Sequence, residues 1–425
     1  MSNFSVHRTR IAIIGGGLAG TVLANALLPR AHLDVHIFEA DACFSERGAA
    51  IGLSSTAQSA LKHIIPSADE LLAKAGAVPM NSTRTMIRKG SGVGAASLVL
   101  DLPRTTQGKV VHRGSLLREL LSGLPSSMLH TGKKLTDMNS SDDGIDLTFE
   151  DGYMARFDAV VGADGIFSRV RKHVTRDAGG VYAASPAGFW DCRNLVTVEK
   201  AREVLGQDLF RVHRQYGWIG NGAFIMHDVL DHGHKIQCVI SGVEAKQAKK
   251  RATPLSRHDL NLVLKDWLDG PIAKGMIELV LDQDNPQRFS QWEHKSTPTY
   301  SNGRTCIMGD AAHATTPWQG YGLGLAIEDA VILSTLLAET SSCRGINAAL
   351  QAYDAVRRPR CQMLIDSSRG TGRILCGQDG CAGLEPGRLK QVLAPRWDFI
   401  HGLDIEAHKQ DALGALKEVQ ASTME

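Results

Sequence analysis

Three sets of residues in this chain have types and spacings that could do chemistry. The first lies in CIMGDAAHATTPWQGYGLGLAIEDA, Cys306 to Ala330. An apolar run stops there at Gly309-Asp310. Ala311, Ala312, His313, Pro317 and glycines at 320, 322 and 324 follow before an apolar, helix-like pattern resumes. One carboxylate ahead of nearly bare backbone offers an acceptor beside uncovered N–H donors. The second set is Gly15, Gly17 and Gly20 in RIAIIGGGLAGTVLANALL, a G-x-G-x-x-G spacing that lets backbone approach a pyrophosphate. The third is a group of cationic and aromatic residues in strand-like sequence: Arg193, His213, Arg214, Tyr216, Trp218 and His227. A guanidinium stays charged at any working pH and forks onto a planar oxyanion, while an imidazole can move a proton near neutrality. Metal chemistry is not expected. No C-x-x-C pair occurs among the eight cysteines, and Cys376 and Cys381 lack a second Cys/His cluster.

For the glycine set, the positioning elements follow directly from the pattern. The β-branched run Ile11–Ile14 predicts a strand, and Leu18, Val22, Ala26 with Leu23, Leu27 recur at helical spacing. Strand, tight turn and helix in that order are the context the motif requires. Gly15 permits the turn, Gly17 admits the pyrophosphate, and Gly20 lets helix and strand pack closely. Leu18 and Ala19 open the helix, whose first N–H groups are free for phosphate oxygens. DVHIFEAD predicts a second strand ending in Glu39, 19 residues after Gly20, where an acid accepts from ribose hydroxyls. GSGVGA, Gly90 to Ala95, has a similar look but no helix after it, and the flanking TMIRK and SLVLDL make it a hairpin loop. One dinucleotide fingerprint is therefore expected.

The rest of the chain alternates in texture. A helix is expected over the Ser55–Leu72 region, antiparallel strands over 80–102, and a helix in HRGSLLRELLSGL with Arg113 just before its start. Asp151-Gly152 reads as a hairpin turn and Phe157–Ala163 as a buried strand. Residues 180–298 are strand-rich with helices around 255–280, and 331–425 are mostly helical. The chain has 425 residues, is 43% hydrophobic and carries a formal charge of +2. That balance gives no electrostatic case for nucleic acid. No apolar stretch reaches the roughly 18 residues of a membrane span, and MSNFSVHRTR lacks a signal-peptide core, so a cytoplasmic, reducing setting is expected.

Three ordered motifs, GGGLAG…FEA, DAVVGADGIFSRVR (Asp158–Arg171) and GRTCIMGDAAHATTPWQGYGLGLAIEDA, together resemble the FAD-dependent aromatic hydroxylases of the para-hydroxybenzoate hydroxylase fold. The texture is nearest to salicylate hydroxylases and the fungal phenol-hydroxylating and dearomatising monooxygenases. YDAVRRPRCQMLIDSSRGTG, Tyr353–Gly372, resembles their tail. The resemblance implies an α/β chain with a Rossmann-type FAD-binding domain interrupted by a strand-rich substrate domain. It divides the chain into FAD-binding parts at 1–75, 109–178 and 299–372, substrate-domain parts at 76–108 and 179–298, and a helical C-terminal tail at 373–425. It further implies tightly but non-covalently held FAD, NADPH or NADH as transient co-substrate, O2, and a small aromatic substrate hydroxylated through a flavin hydroperoxide. The chain would act as monomer or homodimer. The alternative is an FAD-dependent oxidase, reductase or epoxidase acting on a non-phenolic secondary metabolite.

The resemblance assigns roles residue by residue. Asp310 bonds the ribityl or pyrophosphate region of FAD, and Gly322, Leu323 and Gly324 bring N–H groups to the ring edge. Arg113, Gly52, Asp164 and Pro317 join Gly15, Gly17, Leu18, Ala19, Gly20 and Glu39 at the cofactor. His313 packs beneath the ring. Arg193 and His227 are the expected catalytic pair, holding and ionising a phenol or carboxylate, with Tyr216 and Trp218 as pocket walls. Tyr321, Leu323 and Leu325 are bulkier than the family's pattern, so they either tighten the pocket or turn into the core.

Overall fold

The computed structural model describes residues 8–45, 50–81, 83–87, 97–102, 108–244, 250–340 and 343–422. Two sheets organise it. In the nucleotide sheet the order is Ser301–Asn302, Thr305–Ile307, Ala159–Gly162, Thr9–Ile14, Leu33–Phe38, Leu129–His130. Its central strands run parallel. Ile11 to Ile14 are 0–3% exposed, as expected for a parallel strand covered on both faces. Each of the three motifs leaves the carboxyl end of one of these strands. Gly15 follows Ile14, Ala163 follows Gly162, and Met308 follows Ile307. The exits are tied together, because Ala163 N donates to Ile14 O and Met308 N to Gly162 O. Motifs far apart in sequence therefore meet along one edge, where open α/β sheets bind their ligands.

The second, pocket sheet has eight strands in the order Ala252–Pro254, Gln287–Glu293, Ser185–Thr197, Lys235–Val243, Ala223–Leu230, Gln215–Gly220, Thr83–Ile87, Ser97–Leu102. Helices Val198–Leu205 and Pro271–Leu281 cover one face. The other face meets Trp318 and the tail residues Leu375, Leu389 and Leu393. A small sheet, Ala50–Leu53, Lys109–His112 and Val78–Pro79, bridges the two.

Some local expectations change. The 55–72 region is two helices, Ser55–Ile64 and Ala68–Lys74, because Pro66 disfavours helical backbone at Ile65 before it. Helix Val198–Leu205 was not anticipated. Its signal is the Thr197 cap, which accepts from Lys200 N. GSGVGA lies outside the described residues, but the strands on either side pair antiparallel. No helix among the described residues is long and apolar enough to cross a membrane.

Candidate active site

The fingerprint turn is set by steric necessity. Gly15 sits at φ +108°, and a Cβ there would lie 2.3 Å from Ala163 O. A Cβ at Gly20 would lie 2.1 Å from Gly15 O, so helix Leu18–Leu27 can pack this closely only over glycine. Glu39 holds the loop in shape. Its Oε2 accepts from Gly16 N at 2.8 Å and its Oε1 from Asp41 N at 2.9 Å.

The Gly309-Asp310 turn is held from behind by buried charge. Gly309 adopts φ +56°, and its N–H donates to Asp329 Oδ2 at 3.0 Å. The same oxygen is 2.6 Å from His313 Nε2. Arg357 bridges Asp329 Oδ1 at 2.9 Å and Glu328 Oε2 at 2.7 Å, and Arg360 grips Glu328 with two further bonds. Burial alone would raise the Asp329 acid, but His313 and Arg357 override it and hold the group well below the carboxylate range. Cys361 completes a His–Asp–Cys trio with metal-like spacing, yet Arg357 Nη2 lies 3.7 Å from its Sγ, so a guanidinium already fills that position. From the other side, buried Arg171 donates to Ala311 O, Ala312 O and Thr297 Oγ1 at 3.1, 2.9 and 2.7 Å. Burial pulls Arg171 down to about 10, still charged at neutrality. His313 is thus a clamp residue behind the turn, and Asp310 is left exposed.

A cavity of about 570 Å3 runs from this edge to the pocket sheet. Gly17, Leu18 and Ala19 line one end. Gly52, Arg113, Asp310, Pro317, Gly322 and Leu323 line the middle, and Arg193 the far end. Helices Leu18–Leu27 and Gly322–Ala338 both begin at this cavity, and their N-cap residues, Gly17 and Tyr321, make no side-chain cap bond. Two helix N-termini aimed into one space favour negative charge twice, at a phosphate and at a ring that becomes anionic on reduction. The residues present fit FAD. Asp164 and Gly324 do not line the cavity. Asp164 accepts from Arg169 N and Val170 N, with Ser168 Oγ against its other oxygen, and so anchors helix Arg169–Thr175. A Cβ at Gly324 would lie 2.4 Å from the Tyr321 ring, so this glycine serves packing. Tyr321 and Leu325 turn into the core, and Tyr321 OH donates to Glu328.

The pocket sheet corrects part of the expected site. Side chains alternate faces along a strand. On Ala223–Leu230, Phe224, Met226 and Asp228 line the cavity, which puts His227 on the opposite face. There it is 0% exposed, within 5.1–5.5 Å of the rings of Phe210, Tyr216 and Trp218, and neither nitrogen has a hydrogen-bond partner among the described residues. Burial pushes its imidazole down to about 3. Tyr216 and Trp218 belong to this inner aromatic cluster and are not pocket walls. Arg193 does line the cavity. Its Nη2 and Nε donate to Asp191 Oδ1 at 2.5 and 3.1 Å, and Asp191 is itself buried. Asp228 accepts from Gln215 Nε2 at 2.8 Å and Gln237 Nε2 at 3.4 Å, and burial lifts it to about 6.

The family whose description is FAD binding domain matches residues 8–368. The 6-methylsalicylate 1-monooxygenase of Aspergillus terreus is 33% identical over 97% of this chain and 93% of its own length. The chain belongs to this family of FAD-dependent monooxygenases. The monooxygenase is also 28% identical to the salicylate hydroxylase of Pseudomonas putida, across 96% of this chain and 95% of that one. A solved salicylate hydroxylase in complex with substrate superimposes with a TM-score of 0.83 at 25% identity, covering 96% of this chain and 98% of that one. The monooxygenase therefore binds FAD, and NAD(P)H and O2 are the co-substrates typical of its family.

Two features of the monooxygenase escaped the sequence reading. Asp228 is adjacent to His227, and only the pleat of the strand decides which of the two faces the cavity. The tail beyond residue 372 also reaches the cavity. Leu375, Leu393, Trp397 and His401 line it, and the tail is latched to the 315–322 loop by Gln319 Nε2 donating to Arg396 O at 2.6 Å and Trp397 Nε1 donating to Gln319 O at 3.3 Å. Sequence periodicity alone carried no signal for that reach.

Proposed function

We propose that this monooxygenase hydroxylates a small phenolic ring, with aryl acids of the salicylate type as the leading substrate class. The observation that carries this reading is the continuity of the cavity. One space joins the helix N-termini that suit FAD to a pocket-sheet wall that mixes apolar side chains with one cation, Arg193, and two carboxylates, Asp191 and Asp228. Bound FAD supplies the reducing electrons and the O2 activation. The chain's own residues hold the ring. Phe224, Met226 and Val239 offer an apolar floor for it, and Trp318 and the tail's Trp397 exclude water from above. Arg193, preset by its bond to Asp191, offers guanidinium N–H donors to an oxyanion on the ring. Two curated relatives carry salicylates in their names, which supports an acidic oxygen on the ring. The test is a panel of phenols and phenolic aryl acids, including salicylate and 6-methylsalicylate, given to FAD-loaded protein with NADH or NADPH. Substrate-stimulated oxidation with a hydroxylated product supports the reading. Turnover only of non-phenolic compounds, or oxidation that yields peroxide and no product across the panel, overturns it.

A further inference from the structure

We propose that Asp228 accepts the proton of the substrate's ring hydroxyl as that ring is hydroxylated. The inference rests on the reading of the cavity as an aromatic hydroxylation site. Asp228 is 4% exposed and faces the cavity from strand Ala223–Leu230. Its two partners are amides. Gln237 Oε1 accepts from Ala50 N at 2.9 Å, which commits Gln237 Nε2 to Asp228, and Gln215 Nε2 holds the other oxygen. A carboxylate has about four acceptor directions, so two amide bonds leave capacity for a donor in the cavity. Burying a carboxylate with only neutral partners costs the fold stability, and such groups concentrate where chemistry needs them.

The charged neighbours are otherwise engaged. On the strand Ser185–Thr197, Arg193 and Asp191 pair with each other. On Lys109–His112, Lys109 Nζ lies 3.0 Å from Asp69 Oδ1, and His112 Nδ1 accepts from Ser115 N. Arg214, just before Gln215, faces Asp101 at 3.7 Å. On Lys235–Val243, Cys238 pairs with His227 across the ladder and shares its inner face. Burial is therefore the main influence on the acid, lifting it to about 6, a useful strength for a base working near neutrality. A guanidinium already carries its proton and serves as a donor, and His227 is on the wrong face.

Register supports a shared task. Arg193 stands opposite Val239 and Val239 opposite Met226, while Asp228 stands opposite Gln237 in the next row on this face. Arg193 and Asp228 are thus two strands apart and one pleat repeat offset, about 9–10 Å across and about 7 Å along. A single ring over Met226 and Val239 lies between them. As the ring carbon gains oxygen, positive charge builds toward the hydroxyl oxygen. The hydroxyl O–H bond breaks, its electron pair stays with that oxygen, and the proton forms an O–H bond on Asp228 before passing to solvent. One oxygen atom of O2 enters the ring as the O–O bond breaks, the other leaves as water, NAD(P)H supplies the two electrons, and the hydrogen on the ring carbon leaves as a proton when the ring rearomatises.

The test uses FAD-loaded full-length protein, the phenol of the panel that gives most product, and that phenol's O-methyl ether. Wild type should lose kcat/KM as pH falls through about 6, where the base becomes protonated. It should also prefer the phenol over the ether by at least about tenfold. Asp228→Asn should keep its FAD, turn over about 100-fold more slowly, lose the acidic limb, and no longer distinguish phenol from ether. Asp228→Glu should recover part of the rate together with the limb. An Asn variant with wild-type rate and an unchanged limb overturns the inference. If Asp228→Asn fails to hold FAD, the wild type decides: no acidic limb and equal use of the ether also overturn it. If no phenol in the panel is hydroxylated, the hydroxylation reading itself falls, and this inference with it.

Discussion

Two polar clusters, one behind the cavity's Gly309-Asp310 turn and one in the cavity wall, follow opposite rules. Behind the Gly309-Asp310 turn, every charged group is matched. Glu328, Asp329, His313, Arg357 and Arg360 interlock at 2.6–2.9 Å, with Arg357 and both acids 0% exposed. On the pocket sheet, Asp228 has only amides and Arg193 keeps part of its guanidinium toward open space. The first cluster spends its charges on one another, and its one unpartnered ring nitrogen among the described residues, His313 Nδ1, is buried behind the turn and not turned to the cavity. The second has acceptor and donor capacity left over. Buried charge alone therefore does not mark a reactive site; unspent hydrogen-bonding capacity facing a cavity does.

The contrast breaks first, and most severely, at Arg357. Arg357→Met leaves Asp329 with His313 as its only charged partner beside the Gly309 N–H, and strips one partner from Glu328. Removing one member of a buried ionic network costs about 3–5 kcal/mol. Urea unfolding should show that loss, with FAD content falling alongside it, and an unchanged midpoint would show that the network is not what holds the turn. Next comes pH. The Asp329 acid is held below its ordinary value of 3.8 in the folded state, so the stability it contributes is present above that value and drains away as pH falls below it. Through this group wild-type unfolding free energy should lose on the order of 2–3 kcal/mol as pH falls from about 4 toward 2, on top of the steady loss below about pH 6.5 that the buried, down-shifted His227, His294 and His408 cause. Asp329→Asn should start lower and lose part of that acid limb. An identical limb in the variant would move the effect to other carboxylates.

On the pocket side the effects belong to catalysis. Arg193→Ala should keep FAD and fold while kcat/KM falls about 10–100-fold, the worth of a hydrogen bond to a charged group. Arg193→Lys should fall between, with a raised KM, since it keeps the charge and loses the fork. Steady-state hydroxylation by the two variants checks this. The smallest effect is expected at His227. Replacing it with leucine exchanges a neutral, partnerless ring for an apolar side chain, so turnover should stay within about twofold and stability should not fall by more than about 1 kcal/mol. A large rate loss in His227→Leu would mean that the inner aromatic cluster takes part in the reaction.

How far the sequence could be read follows the same physics. The fingerprint was legible because periodicity switches from strand to helix around glycines that nothing else could replace. The third motif was legible as a turn, but its clamps were not. Glu328 and Asp329 sit within a helix pattern and Arg357 in RRPR, and nothing in their spacing announces that they meet. The facing of the pocket strands was also hidden. Ala223–Leu230 is buried on almost every residue, because helices cover one side and the tail and loop 315–322 approach the other. Without apolar–polar alternation, choosing His227 over Asp228 amounted to choosing a face, and the sequence carried no signal for that choice.

The most direct measurement is hydroxylated product formed per NAD(P)H consumed, on the best phenol of the panel, by FAD-loaded wild type, Arg193→Ala and His227→Leu side by side. The account predicts coupled product formation in wild type, nearly the same in His227→Leu, and at least a tenfold loss of kcat/KM in Arg193→Ala with FAD intact. Wild-type product formation by Arg193→Ala, together with its loss in His227→Leu, would contradict it.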